Sequence, residues 1–216
     1  MATAATRAGR DPGAVQLVAV SKRVPLEFIR AAVACGQTVF GENYLQEAEK
    51  KIAALDPGLA WHLIGHLQSN KARQAARLFD VVETVDSIKL ARLLDNHGRE
   101  LNRVMDVYVQ VNVGDEPQKW GIRPEEAEGL LVGMKEFQYI RVKGFMAMPP
   151  FFDDPEMARP CFRRLRLLVE DCRAKGFWSQ DEKIELSMGM SNDFEVAIEE
   201  GATLVRVGSA LFGSRE

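Results

Sequence analysis

Eight short apolar runs alternate with amphipathic segments along almost the whole chain, and this alternation constrains the fold more than any other feature. The runs are rich in Val, Ile and Leu and show little polar alternation, which is typical of strands buried on both faces of a parallel sheet. The segments between them carry apolar residues at three- and four-residue spacing, as amphipathic helices do. The predicted strands are Val15–Val20, Thr38–Phe40, Ala60–Ile64, Val81–Val85, Val104–Val111, Ile140–Phe145, Lys183–Leu186 and Leu204–Val207. The predicted helices are Leu26–Cys35, Tyr44–Leu55, Asn70–Phe79, Ile88–Leu101, Glu125–Lys135, Glu156–Lys175 and Phe194–Glu200.

Strict strand–helix alternation with eight strands predicts a single (β/α)8 barrel of the TIM type, and a doubly wound open sheet is the main alternative. Pro25 and Pro124 stand where a first-turn proline is tolerated, and Gly36, Gly176 and Gly201 stand where helices would end. We find no linker, internal repeat or low-complexity segment, so residues 1–216 are expected to form one domain.

Composition narrows the class of protein. A net charge of −3 and a pI near 5.8 give no reason to expect nucleic acid or an anionic membrane as partner. No apolar run approaches the roughly 18 residues of a spanning helix. Cys35, Cys161 and Cys172 are odd in number and lack metal-like spacing, which indicates a reducing, cytoplasmic setting. We expect a monomer or weak dimer.

The first ten residues are alanine-rich and carry two arginines without an acid. A transit peptide is one interpretation of this composition. We favour the other, which is the remnant of an alanine-rich helix.

Polar and glycine-rich residues follow the predicted strands. In a barrel, the carboxyl ends of all the strands meet at one mouth, where the chemistry takes place. The pattern therefore predicts a polar ring around that mouth. The residues that follow strands one to eight in order are Ser21-Lys22, Gly41-Glu42-Asn43, Gly65-His66 with Gln68-Ser69-Asn70, Asp86-Ser87, Asn112, Met146-Ala147-Met148, Ser187-Met188-Gly189-Met190-Ser191 and Gly208-Ser209.

Lys22 ends the first strand, where an apolar run stops at a primary amine. Partial burial there would favour the neutral amine, which is the form that condenses with an aldehyde to give a Schiff base. A solvated lysine at the start of a loop is the alternative interpretation.

The turns after the last two strands predict an anion site. Gly189-Met190-Ser191 precedes a helix and Gly208-Ser209 follows the last strand, the two places where barrels often bind a phosphate. Glycines allow backbone N–H groups to approach an anion closely. The alternative is a simple helix cap at Ser191 or Asn192, with Glu195 completing a capping box from Asn192.

Arg206 and His62 are polar residues inside predicted strands. If Arg206 points to the mouth, a ligand ring nitrogen would serve as its partner; otherwise an ion pair with Glu185 or Glu199 would satisfy it. His62 is expected to point inward, where a hydrogen-bonded core histidine is the common outcome. The sequence shows no Ser-His-Asp or Cys-His arrangement and no metal-ligand spacing.

Several motifs, in order and covering about Asp11 to Gly213, closely resemble the pyridoxal phosphate homeostasis protein family, which is similar to the N-terminal barrel of alanine racemase. They are Val18-Ala-Val-Ser-Lys22, Phe40-Gly-Glu-Asn-Tyr44, Trp61-His-Leu-Ile-Gly65, Leu67-Gln-Ser-Asn-Lys71, Gln110-Val-Asn112, Leu186-Ser-Met-Gly-Met-Ser191 and Val205-Arg-Val-Gly-Ser209.

The resemblance implies that Lys22 carries pyridoxal 5′-phosphate (PLP) as a Schiff base. It also implies that Ser191 and the Gly208-Ser209 backbone hold the phosphate and that Arg206 faces the pyridine nitrogen. Asn43 and His62 match motif positions near the ring. Members of the family usually begin with a longer helix before the equivalent of Gly9-Arg-Asp-Pro-Gly13, so the closure of the barrel bottom is an open question.

An arginine opposite the ring nitrogen disfavours its protonation and weakens the cofactor as an electron sink. Racemization also needs a second acid or base, which alanine racemase takes from a tyrosine of another domain. This chain stops at Glu216, before any such domain, and of its tyrosines only Tyr44 is predicted near the mouth. The resemblance therefore implies reversible PLP binding, with buffering or supply of cofactor to apo PLP-dependent enzymes and effects on amino-acid metabolism. A weak amino-acid racemase and a cofactor-free Schiff-base aldolase acting on a phosphosugar are the alternatives.

Overall fold

The computed structural model describes residues 1–116, 118–179 and 181–213, and eight parallel strands close into a barrel in chain order. The closing seam joins the first and last strands, where Val18 pairs with Arg206. The predicted (β/α)8 barrel is confirmed and the open doubly wound sheet is wrong. The strands are β1 Gln16–Val20, β2 Val39–Glu42, β3 Ala60–Leu63, β4 Val81–Val85, β5 Met105–Gln110, β6 Ile140–Met146, β7 Glu185–Ser187 and β8 Leu204–Val207.

Helices alternate with these strands and cover the outside of the barrel. They are α1 Ala2–Arg7, α2 Leu26–Ala34, α3 Leu45–Ala54, α4 Ala72–Leu78, α5 Ile88–Glu100, α6 Ala127–Met134, α7 Arg159–Ala174, α8 Phe194–Glu199 and α9 Ser209–Phe212. Three of the observed helices begin later than predicted, because the first residues of the predicted helix form a 3-10 turn instead. These turns are Ser69–Lys71, Pro124–Glu126 and Pro155–Ala158. Each predicted helix contains an observed one, so the apolar periodicity located the helices and only their first turns differ.

Side chains alternate between the two faces of each strand and therefore enter two separate apolar cores. The larger core lies between the sheet and the helices and includes Phe40, Leu63 and Phe145. The smaller core, inside the barrel, includes Val18, Tyr108 and Leu204. Each such buried side chain contributes about 1.5 to 3 kcal/mol relative to an exposed one. Residues of the same parity as the inner core, such as Arg206 two positions after Leu204, point into the barrel.

The alanine-rich N-terminus forms α1, as the helical interpretation predicts. Ala4 and Ala5 are buried, and Arg7 lies between the carboxylates of Glu195 and Glu199 on α8. Arg10 donates from Nη1 to the Ile198 carbonyl at 2.6 Å. Helix α1 therefore packs on α8, the helix that follows the Ser191 loop, and the strands close into a barrel with this short helix in place.

Candidate functional site

A cleft of about 350 Å³ opens at the carboxyl ends of the strands. Its volume falls in the range of roughly 300 to 1,000 Å³ typical of small-molecule sites. It brings together six of the seven predicted site residues: Lys22, Asn43, Ser191, Arg206, Gly208 and Ser209. The other lining residues are Val20, Ile64, Met148, Phe151, Met190, Asn192 and Asp193.

Lys22 occupies a tight turn directly after β1 and is half-buried. It has the same parity as the inward-facing Val18 and Val20, which explains why its side chain reaches the cleft rather than the helix layer. The next residue, Arg23, has a φ of +57°, a left-handed conformation that is uncommon for a residue with a side chain. The direction of the Lys22 side chain therefore depends on an uncommon backbone conformation at Arg23, which contacts with the rest of the fold must stabilise.

The loops after β7 and β8 meet at the Ser191 hydroxyl. Its Oγ accepts hydrogen bonds from the backbone N–H of Gly208 at 3.2 Å and of Ala210 at 3.3 Å. Backbone donors of α9 and of the residue before it thus converge on one side of the cleft, as they do in anion sites. Gly189 permits the approach: its φ is +93°, and a Cβ there would lie 2.6 Å from the Cβ of Ala197.

The helix-cap alternative for this loop is wrong. The Asn192 amide donates to the carbonyl of Phe152 at 2.9 Å, and Glu195 pairs with Arg7. Asp193 holds the N-cap position of α8, and its Oδ1 accepts the N–H of Met190 at 2.6 Å. Burial raises the pKa of the Asp193 carboxyl. Sequence reasoning missed Asp193 as a residue of the cleft, although an aspartate before a predicted helix was available as a signal.

Arg206 lies in β8 and reaches the cleft from inside the barrel, with 3% of its surface exposed. Its Nη1 donates to Ser187 Oγ at 2.6 Å and its Nη2 donates to the carbonyl of Ala147 at 2.8 Å. The nearest carboxylate is Glu83, with Nη1 and Oε2 3.8 Å apart. Burial lowers the pKa of the guanidinium, and the charge of Glu83 opposes that effect.

The proposed ion pair of Arg206 with Glu185 or Glu199 is wrong. Glu185 bonds the Tyr108 hydroxyl and lies 3.7 Å from Lys143, whereas Glu199 lies outside the barrel with Arg7 and Arg159. Glu83 was missed as the partner. The signal was present, because a glutamate within the apolar strand Val81–Val85 raises the same question of a buried partner as Arg206 does.

His62 does not line the cleft. Instead its ring forms a hydrogen bond with Glu83. Its Nδ1 lies 2.6 Å from Glu83 Oε1, and the Ser187 hydroxyl donates to Glu83 Oε2 at 2.5 Å. Burial alone would raise the pKa of Glu83, but the hydrogen bonds from His62 and Ser187 and the charge of Arg206 hold it below its usual value. The result is a buried chain from His62 through Glu83 to Ser187 and Arg206, so we find His62 to be a hydrogen-bonded core histidine.

Asn43 follows β2 and lines the cleft as predicted. The chain at Gly65 packs directly against it, since a Cβ on Gly65 would lie 2.4 Å from the Asn43 carbonyl oxygen. Opposite these polar groups, Ile64, Met148, Phe151 and Met190 supply apolar walls. A flat aromatic ring with polar substituents and an anionic end would match this lining.

The tyrosines lie outside the cleft. Tyr44 is exposed beside it. Tyr108 is buried, and burial together with the charge of Glu185 raises the pKa of its hydroxyl. Tyr139 lies at the other end of the barrel, with the Arg99 guanidinium over its ring. The three cysteines are free, and in residues 1–116, 118–179 and 181–213 we find no cluster of His, Cys, Asp or Glu arranged to hold a metal. No helix within these same ranges is long and apolar enough to cross a membrane.

Comparison with known proteins agrees with this geometry. Residues 2–216 match the alanine racemase N-terminal domain family. The chain is 42% identical over 214 residues to the pyridoxal phosphate homeostasis protein of Aquifex aeolicus, covering 99% of this chain and 92% of that protein.

Two solved structures are also similar. PipY of Synechococcus elongatus PCC7942, with PLP bound, superimposes with a TM-score of 0.86 at 40% identity over 98% of both chains. Alanine racemase of Clostridium difficile 630 matches with a TM-score of 0.75 at 14% identity, over 98% of this chain and 58% of that one, which shows a shared fold alone. The chain therefore belongs to the alanine racemase N-terminal domain family and, within it, to the pyridoxal phosphate homeostasis proteins.

Proposed function

We propose that this protein binds PLP in the cleft as a Schiff base on Lys22 and takes part in PLP homeostasis inside the cell. The observation that carries the proposal is the placement of a lysine amine, a buried arginine and a set of converging backbone N–H groups around one cleft. These three kinds of group match the aldehyde, the ring nitrogen and the phosphate of PLP. The bound cofactor supplies an aldehyde that condenses reversibly with an amine.

Different residues of the cleft would bind different parts of the cofactor. Ser191, Gly208 and Ser209 would hold the phosphate, where backbone donors favour an anion. Asn43 and the apolar walls would hold the ring. The Lys22 amine would condense with the aldehyde, releasing one water molecule, and so hold the ligand covalently. Two anchors at opposite ends restrict the ligand to one orientation.

Arg206 would face the ring nitrogen and keep it unprotonated. Its side chain is fixed by Ser187, Ala147 and Glu83, so it cannot swing away from the cleft without breaking buried hydrogen bonds. A positive guanidinium opposite the nitrogen disfavours a second positive charge in a poorly solvated site. This removes most of the electron-withdrawing power on which PLP enzymes depend.

We therefore propose a carrier or buffer of PLP, with apo PLP-dependent enzymes as recipients, rather than an enzyme. A racemase needs acids or bases on both faces of the substrate carbon. Among the described residues, the titratable side chains that line the cleft are Lys22, Arg206 and Asp193, and the carboxylate of Asp193 accepts the N–H of Met190. In alanine racemases a tyrosine is the second acid or base, whereas the three tyrosines of this chain lie outside the cleft.

Borohydride reduction followed by peptide mass mapping tests the proposal. PLP-saturated protein should give a pyridoxyl-phosphate adduct on the peptide that contains Lys22, and Lys22→Ala should abolish it. Lys119→Ala, outside the cleft, is the matched lysine control and should keep the adduct. An unmodified Lys22 in saturated protein would overturn the proposal.

Two further measurements separate the alternatives. Exchange of the α-proton of an added amino acid in deuterated water would indicate a racemase, whereas a carrier should show none above free PLP. A protein that stays colourless with PLP, yet forms a borohydride adduct with a phosphosugar, would indicate the aldolase.

A further inference from the structure

We propose that Lys51 is a positioning residue that, together with Glu42 and Glu47, fixes the turn carrying Lys22 in the geometry needed to form the Schiff base. The inference rests on the proposed function, since it concerns the same lysine. It assigns a task to a buried ionic cluster behind the cleft that takes no part in lining it.

Lys51 lies on α3 with only 8% of its side chain exposed, and all three protons of its ammonium group find acceptors. Its Nζ donates to the Ser21 carbonyl at 2.5 Å, to Glu42 Oε1 at 2.8 Å and to Glu47 Oε1 at 2.6 Å. An ammonium group has three donors, so the hydrogen-bonding capacity of the Lys51 ammonium group is fully used. One of these acceptors is the backbone of the residue immediately before Lys22.

The two carboxylates hold the Lys22 turn from both sides. Glu42 Oε1 accepts the hydroxyl of Ser21 at 2.6 Å, and Glu47 Oε1 accepts the N–H of Arg23 at 2.5 Å. Ser21 and Arg23 are the two chain neighbours of Lys22. The turn is therefore tied at the residue before and at the residue after the reactive amine.

The tie at Arg23 acts where the backbone is strained. With φ at +57°, Arg23 adopts a left-handed conformation that a residue with a side chain adopts only when its surroundings impose it. The bond from its N–H to Glu47 is one such constraint. Without it, the turn can relax toward ordinary backbone angles, and such a relaxation changes the direction of the Lys22 side chain.

The ionic cluster of Lys51, Glu42 and Glu47 is not well explained by a contribution to the stability of the fold. Two carboxylates share one ammonium group, and Glu42 is fully buried with one oxygen, Oε2, that has no hydrogen-bond partner in the described part of the chain. Burial raises the pKa of Glu42, which shows that its charge is costly there. A buried ion pair is often no more stabilising than well-packed apolar residues of similar size, and geometric specificity is the gain that such groups can offer.

Formation of the Schiff base requires such a fixed geometry at Lys22. Ser191 and Gly208 would hold the phosphate end of the ligand, so Lys22 must reach an aldehyde whose position would already be fixed. A displacement of about 1 Å at a reacting group can cost roughly 100-fold in rate. The turn must therefore be held within that tolerance, and Lys51 links it to the rigid helix α3.

Lys51→Met tests the proposal by separating covalent from non-covalent binding. We expect the affinity for PLP to fall at least tenfold, together with the rate at which borohydride traps the adduct on Lys22. The affinity for pyridoxine 5′-phosphate, which has the ring and phosphate but no aldehyde, should stay within twofold of wild type. Lys175→Met is the matched control, because Lys175 likewise joins two carboxylates, Glu128 at 2.9 Å and Asp171 at 2.8 Å, far from the cleft. It should leave both affinities unchanged.

Glu47→Ala provides a second variant in case Lys51→Met does not fold. It removes the carboxylate, which is partly exposed, that accepts the N–H of Arg23. The variant should bind PLP more weakly but bind pyridoxine 5′-phosphate as tightly as wild type. Equal weakening of both ligands in the folded variants would show a purely structural cluster and overturn the inference, as would no weakening of either. If wild-type protein itself gives no adduct on Lys22, the proposed function fails, and that result is distinguishable because it does not depend on Lys51.

Discussion

Glu83 and Arg206 face each other inside the barrel, with Oε2 and Nη1 3.8 Å apart and the Ser187 hydroxyl bonded to both. Both side chains are almost fully buried, and they come from β4 and β8, which lie four strands apart around the eight-stranded barrel. The pair ties the charge that faces the cleft to a fixed point of the barrel. Its energetic consequences can be measured without any ligand.

Glu83→Gln should destabilise the protein strongly. Removing one partner of a buried ion pair leaves the other charge uncompensated, which costs about 3 to 5 kcal/mol. We expect a loss of this order in the free energy of unfolding, measured by urea denaturation at pH 7. Glu126→Gln weakens the exposed pair with Arg123 and should lower the free energy of unfolding far less, because water and salt screen an exposed ion pair. Similar losses in the two variants would contradict the importance of the buried pair.

The contribution of Glu83 should depend on pH in a defined direction. Its pKa is held below the usual value in the folded protein, so its stabilisation is present above the unfolded-state pKa of about 4.3 and is lost as pH falls through the lower folded-state pKa. The difference in unfolding free energy between wild type and Glu83→Gln should therefore shrink from pH 6 to pH 3. Glu42 and Asp193, whose pKa values are raised, titrate in both proteins and cancel from the difference. A difference that grows on acidification would show the opposite sign.

Ser191→Ala should act on the phosphate end of the ligand. The variant loses the hydroxyl on which the N–H groups of Gly208 and Ala210 converge. We expect the affinity for PLP to fall about tenfold, equivalent to about 1.4 kcal/mol. The affinity for pyridoxal, which lacks the phosphate, should change less than twofold by equilibrium dialysis. Ser87→Ala, which removes the N-cap of α5, should lower stability by about 1 kcal/mol and leave the ratio of the two affinities unaltered.

Gly189→Ala should damage the same loop through the backbone. The new methyl group would lie 2.6 Å from Ala197 Cβ and 3.0 Å from Phe194 Cα, at a φ of +93°. Crowding of this kind costs about 1 to 3 kcal/mol, in addition to the left-handed backbone penalty of about 1 to 2 kcal/mol. Gly176→Ala carries only the second cost, since its φ is +78° and no atom lies near the added carbon. Thermal unfolding should therefore rank Gly189→Ala below Gly176→Ala, and only the former should weaken PLP binding.

The strands and helices could be predicted from the sequence because each has a strong local signal. Strand runs such as Val81–Val85 are buried on both faces, and a run of that kind favours a parallel sheet covered by helices. The first turns of helices were less predictable. Ser69–Lys71 and Pro155–Ala158 carry helical composition, but a 3-10 turn and an α-helical turn differ by a small free energy that the neighbouring contacts decide.

The site residues could be placed at one mouth because strand ends of a barrel converge by topology. Lys22, Ser191 and Gly208 are distant in the chain, yet each lies within four residues after the end of a strand, and they line one cleft. Asp193 was missed because only Ser191 and Asn192 were considered as caps of the following helix, whereas Asp193 holds the N-cap position. His62 was predicted near the ring because it matches a motif, whereas the structure places it below the cleft.

The sequence by itself determined the barrel, the mouth at which the polar residues gather and the family, because periodicity, strand ends and motifs are all local properties of the chain. Only the tertiary structure decided which charges neutralise one another. Glu83 rather than Glu185 or Glu199 faces Arg206, and Lys51 donates a hydrogen bond to the carbonyl of Ser21, beside Lys22. Such pairings depend on which side chains point inward at the same level of a closed sheet. That level is set by strand register and by the packing of each helix on the barrel, which no local pattern specifies.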